Sequence, residues 1–101
     1  MNSFKIRHTV VFKLKHPKGS VEEKTFLDAA RKLSSIPGVN RFECLREVSP
    51  KNNYDYGLSM EFESLNAYEA YQKDPAHDAF VQTYWIPYVK DFLEIDYEQV
   101  E

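Results

Sequence analysis

Three observations predict an α+β domain whose elements run β-α-β-β-α-β. Two stretches, residues 4–14 and 54–63, alternate apolar and polar side chains with a period of two, the mark of strands with one buried face. Two further stretches carry apolar residues at helical spacing behind capping signals. Turn-forming clusters separate all of them.

In the first strand Ile6, His8, Val10, Phe12 and Leu14 fall on one side, against Lys5, Arg7, Thr9, Val11 and Lys13 on the other. Pro17 and Gly19 close it. Ser20 with Glu23 is a capping box, and Phe26, Leu27, Ala30 and Leu33 form the stripe of the helix it opens. Pro37-Gly38 ends that helix. Residues 39–48 read as a second strand with Phe42, Cys44 and Val48 on one face. After the S-P-K-N-N loop, the third strand sets Tyr54, Tyr56, Leu58, Met60 and Phe62 against Asp55, Gly57, Ser59, Glu61 and Glu63.

A broken helix is expected over residues 64–89. Asp74-Pro75 interrupts it as N-cap and first helical residue, and Pro87 ends or kinks it. The last strand, residues 92–98, has Leu93, Ile95 and Tyr97 on its apolar side, with Phe92 among acids on the other. This order is the ferredoxin-like pattern, with an antiparallel sheet ordered 4-1-3-2 and both helices on one face. It places Lys5, Arg7 and Lys13 beside Asp55, Glu61 and Glu63 across strands 1 and 3.

The 101 residues form one domain, 1–101, with no repeat or linker. A net charge of −3 argues against a nucleic-acid surface, and no apolar run is long enough for a membrane span. The amino terminus lacks a signal-peptide core, and the lone Cys44, read as a buried inert thiol, fits a cytoplasmic location. The chain has no close metal-ligand spacing and no glycine-rich phosphate loop, so neither metal nor cofactor is expected. Asp74 serves better as a helix cap than as a ligand.

Two histidines stand where core residues would sit. From the helix restart, His77, Phe80, Val81 and Tyr84 share one face, and His8 interrupts the apolar side of strand 1. His16, beside Pro17, reads as solvated surface. A pocket between sheet and helices is expected, with His8, Val10, Phe12 and Phe26 as ligand-binding residues. Tyr56, Phe80, Val81 and Tyr84 complete that set.

The segments I-R-H-T-V-V-F-K-L-K at 6–15, I-P-G-V at 36–39, S-P-K-N at 49–52, F-E-S at 62–64 and D-P-A-H-D-A-F at 74–80 resemble the stress-responsive dimeric α/β-barrel (Dabb) domain family, in order and over essentially the whole chain. The resemblance implies a homodimer joined sheet to sheet into a barrel. Most members have no assigned reaction, but a few plant relatives are polyketide cyclases. By motif position, the resemblance implies that His77 is a general base or acid, that Tyr71 polarises a carbonyl, and that His8 lines the same pocket. This chain carries Asp74 where those cyclases have a histidine, and Tyr56 where they have another. Three readings follow. The protein is a dimer binding a small hydrophobic carbonyl ligand, a cofactor-independent aldol-type cyclase, lyase or isomerase using His77 and Tyr71, or a barrel whose histidines only satisfy the core.

Overall fold

The computed structural model describes residues 5–100. Phe4 of the expected first strand and residues 1–3 of the amino terminus lie outside the described residues. The elements are β1 (Ile6–Leu14), α1 (Val21–Arg31), β2 (Asn40–Arg46), β3 (Tyr56–Phe62), α2 (Leu65–Lys73), α3 (Pro75–Phe80), a short α4 (Ile86–Tyr88) and β4 (Val89–Tyr97). A 3₁₀ turn follows α1, and a single π turn over Val81–Trp85 joins α3 to α4. The four strands form one antiparallel sheet ordered β2-β3-β1-β4. This is the ferredoxin-like α+β fold that the alternating strands predict.

Local chemistry explains the boundaries. Ser20 Oγ accepts from Glu23 N at 3.1 Å, and Glu23 reaches back to Gly19 N at 2.9 Å, one residue beyond the usual capping-box partner. Ser20 N is already bonded to Pro17 O. Asp74 Oδ1 accepts from Ala76 N at 2.8 Å and caps α3, with Pro75 in its first turn. The helix breaks at Asp74-Pro75 as the sequence predicts, and the π turn further loosens its second half.

His8, Val10, Phe12 and Leu14 of β1, with Tyr56, Leu58, Met60 and Phe62 of β3, make up the inner face of the sheet. Phe26, Leu27, Ala30 and Leu33 cover it from the first helical region, and Tyr68, Tyr71 and Phe80 from the second. Phe12, Phe26 and Phe62 have no exposed surface. Burying side chains of this size stabilises the fold by roughly 1.5–3 kcal/mol each. On the outer face Arg7 lies opposite Glu61, 2.6 Å apart, and Lys13 reaches Asp55 at 3.5 Å.

The structure corrects three sequence expectations. β2 spans Asn40–Arg46 instead of 39–48: its register shifts between Asn40 and Glu43, where Arg41 has φ of +50°, and Val48 is exposed beyond the strand's end. His16 is half-buried against the Tyr88 ring, 5.2 Å between centroids, rather than solvated. Most consequential is β4. It begins at Val89, and its register with β1 pairs His8 with Asp96, Val10 with Glu94 and Phe12 with Phe92. Opposed residues share a face, so Phe92, Glu94 and Asp96 point to the helix side, while Leu93, Ile95 and Tyr97 lie outside and exposed. An edge strand is only partly covered on either side, so pairing with His8 outweighs apolar burial there. No helix among the described residues is long and apolar enough to cross a membrane.

Candidate functional site

A cavity of about 320 Å³ lies between the inner sheet face and the second helical region. Helix α2 ends at Lys73 and α3 starts at Pro75, and both lend residues to its walls beside the strands. β1 contributes His8 and Val10, β3 contributes Leu58 and Met60, and α2 contributes Tyr71. His77 and Phe80 come from α3, Val81 and Trp85 from the π turn, and Phe92 and Glu94 from β4. Leu33 closes one side. Four polar groups therefore face a space walled by aliphatic and aromatic side chains.

His8 is tightly tethered. Its Nδ1 lies 2.6 Å from Asp96 Oδ1, and the Tyr68 hydroxyl donates to Asp96 Oδ2 at 2.9 Å. The carboxylate can only accept, so Nδ1 carries the hydrogen and Nε2 is the atom left toward the cavity. Glu94 Oε2 lies 3.6 Å from Nε2, close enough for charge interaction but beyond hydrogen-bond reach. The Tyr68 phenol is held well above the usual range, first by burial and then by its bond to Asp96. It remains a donor.

His77 sits in different surroundings. Its ring meets Tyr71 at 4.6 Å between centroids, tilted by 57°. This contact joins ring to ring, and no hydrogen bond links the Tyr71 hydroxyl to His77. Burial lowers the pKa of His77, a hydrogen bond to the Gln72 backbone opposes that shift, and nearby His8 adds to it. At neutral pH the imidazole is thus neutral and able to accept a proton. Tyr71 is pushed upward by burial and by the Glu94 charge, so it stays a phenol and can donate.

His8 and His77 share the cavity with Tyr71, Val10, Phe80 and Val81. Phe12, Phe26 and Tyr56 lie in the packed core behind its wall, while Tyr84 lines a separate groove between the helices with Ala29, Lys32 and Ile36. Sequence reasoning passed over Tyr68, Asp96 and Glu94. Only the β1–β4 register identifies the two acids, because each looks like a solvated residue between apolar neighbours. Cys44 is half-buried on β2, and burial raises its thiol pKa, the behaviour of an unreactive thiol. Among the described residues no group of three His, Cys, Asp or Glu side chains is arranged to hold a metal.

Residues 6–99 match the sequence profile of the Stress responsive A/B Barrel Domain (Dabb) family. Among solved structures, a Dabb-family protein with a ferredoxin-like fold from Mesorhizobium loti is 54% identical, with a TM-score of 0.93 over 97% of this chain and 99% of that one. A dimeric ferredoxin-like protein of unknown function from Thermobifida fusca is 20% identical, with a TM-score of 0.79 over 96% of this chain and 92% of that one. A hydroxynitrile lyase from Passiflora edulis is 14% identical, with a TM-score of 0.85 over 99% and 97% of the two chains. At those last two identities the likeness carries the fold alone. No curated protein matches the chain.

Proposed function

This chain belongs to the stress-responsive A/B barrel domain family, and from that premise we propose that it is a cytoplasmic homodimer that holds a small apolar compound bearing a carbonyl group in the cavity between sheet and helices. The observation that carries this reading is the contrast inside the cavity. Aliphatic and aromatic walls supply binding energy, and His8, Tyr71, His77 and Glu94 are the few polar groups able to orient a ligand. The Tyr71 hydroxyl is the donor suited to a carbonyl oxygen.

The outer sheet face supports the dimer. Leu93 is 48% exposed, Ile95 39% and Leu45 46%, and Val11 lies beside Leu93 on the same face. Apolar side chains grouped on one sheet face favour a partner that covers them. A second copy packed sheet to sheet would bury that face without touching the helices.

A specific observation also favours a second reading, cofactor-independent catalysis. His77 is neutral, half-buried and adjacent to a phenol that stays protonated. Such a base could take a proton next to a carbonyl while Tyr71 stabilises the oxygen, as aldol-type cyclases, lyases and isomerases require.

A thermal-shift screen against aromatic, fatty-acyl and β-keto compounds tests the first reading, with His77→Ala run alongside. A ligand at 100 times its dissociation constant should stabilise the fold by about 2.7 kcal/mol. Saturable stabilisation by one chemical class is the expected result; a broad screen that leaves the melting temperature unmoved would overturn it. Turnover of that class, lost in His77→Ala with the fold intact, would establish the second reading.

A further inference from the structure

Away from the cavity, one groove carries charge opposite to that of the chain. It lies at the end of the sheet, encloses about 430 Å³, and is lined by Lys13, Lys15, His16, Lys18 and Lys90 with Asp55. The chain as a whole has a net charge of −3. The run K-L-K-H-P-K at 13–18 supplies three of the lysines. Lys90 joins them because Lys15 N donates to Tyr88 O at 2.8 Å, which ties the start of β4 to the end of β1.

The charges are not balanced. Asp55 is shared, one oxygen 3.5 Å from Lys13 and the other 3.3 Å from Lys18. Lys15 and Lys90 form no ion pair among the described residues. Four ammonium groups against one carboxylate leave a surplus of three positive charges, which Asp91, opposite Lys13 in the β1–β4 register, reduces to two. His16 adds a further observation. Its ring is held against Tyr88, and its Nδ1 is enclosed with no hydrogen-bond partner among the described residues. Buried polar atoms are normally bonded, and in the tautomer that carries its hydrogen on Nδ1 this atom has a hydrogen to donate to an oxygen brought into the groove.

We propose that this groove binds the phosphoryl group of a small molecule. Its basic side chains are four lysines and one histidine, with no arginine. Ammonium groups act as point charges, and several of them can each meet a different oxygen of a phosphate or diphosphate. A surplus of two to three charges matches such a group better than a single carboxylate. Four lysines in one groove fall well short of the extended basic stripe that a nucleic acid needs. The site is independent of the cavity, and its failure would leave the cavity reading untouched.

The test is titration of the full chain with inorganic pyrophosphate at constant ionic strength, followed by amide chemical shifts. Two double variants are compared with the wild type: Lys15→Ala with Lys90→Ala in the groove, and Lys51→Ala with Lys73→Ala on exposed positions elsewhere. Both remove two charges, and dispersion in the same spectra reports whether each is folded. The expected result is saturable shifts confined to residues 13–18 and 88–91, with affinity about tenfold weaker in the groove variant and unchanged in the other. Shifts that never saturate would overturn the proposal, as would equal weakening in both variants, which would show attraction to net charge alone.

Discussion

Asp96→Ala removes the group that orients His8. The carboxylate accepts from His8 Nδ1 at 2.6 Å and from the Tyr68 hydroxyl at 2.9 Å, and both partners are buried. Hydrogen bonds to a charged group contribute about 1.5–3 kcal/mol, and a buried donor left without a partner costs about 1–3 kcal/mol. The Asp96 side chain is 39% exposed, so water can replace part of what is lost. That places the expected loss near 2 kcal/mol, a drop of roughly 8–16 °C in melting temperature for a domain of this size. Asp96→Asn keeps an acceptor for His8 and should lose less than half as much. The assay is urea unfolding at fixed protein concentration, since stability of an assembled protein depends on concentration. A cycle with Tyr68→Phe should give a coupling energy of about 0.5–3 kcal/mol. If Asp96→Ala unfolds within about 0.5 kcal/mol of the wild type, the scatter of surface substitutions, the tether is not holding His8.

The other expectations rest on separate features. His77 has its pKa lowered in the fold from an ordinary value of 6.5, so the unfolded chain binds its proton more readily. Its contribution to stability should be complete above pH 6.5 and shrink as pH falls below it; the difference between wild type and His77→Gln across that window measures this, and a flat difference refutes it. Replacing Leu93 and Ile95 together by lysine should turn a dimer into a monomer by light scattering, and a variant that keeps twice the chain mass would place the interface elsewhere. Val81→Trp should fill the cavity and abolish ligand stabilisation at a folding cost of no more than about 3 kcal/mol, read from melting curves with and without ligand. Phe26→Ala empties a fully buried site between Phe12 and Phe80, at centroid distances of 5.4 and 5.6 Å. It should cost about 3–5 kcal/mol in urea unfolding.

The fold was legible wherever one physical rule acted alone. β1 and β3 are central, each with one dry face, so period-two alternation names their inward residues correctly. Ser20 and Asp74 announce helix starts because a capping side chain satisfies backbone groups locally and needs no tertiary partner. β4 obeyed no single rule. It has apolar residues on the outer face, available to a second copy, and Glu94 and Asp96 inside because a histidine one strand away faces them. The same conflict hid half of the candidate site. His8 and His77 could be noticed as polar intruders on apolar faces, whereas Asp96 and Glu94 look ordinary until strand register is known. Phe12, Phe26 and Tyr56 were readable as inward-facing, but periodicity cannot separate a residue that lines an empty space from one that packs behind it.

The π turn at Val81–Trp85 has a consequence for how this cavity can change. Such a turn is an α-helix with one residue inserted. Val81 and Trp85 both reach the cavity across it. Because the extra residue is taken up inside the wider hydrogen-bonded turn, deleting one there would close an ordinary α turn and leave the chain after it nearly in phase. The entry into β4 and the pairing of Glu94 and Asp96 with β1 would be kept, and the change would fall on the stretch of wall between Val81 and Trp85. The shape of the chamber wall thus depends on chain length at a single turn while the placement of its acids does not, so a deletion there would alter the wall in one step, where substitutions act side chain by side chain.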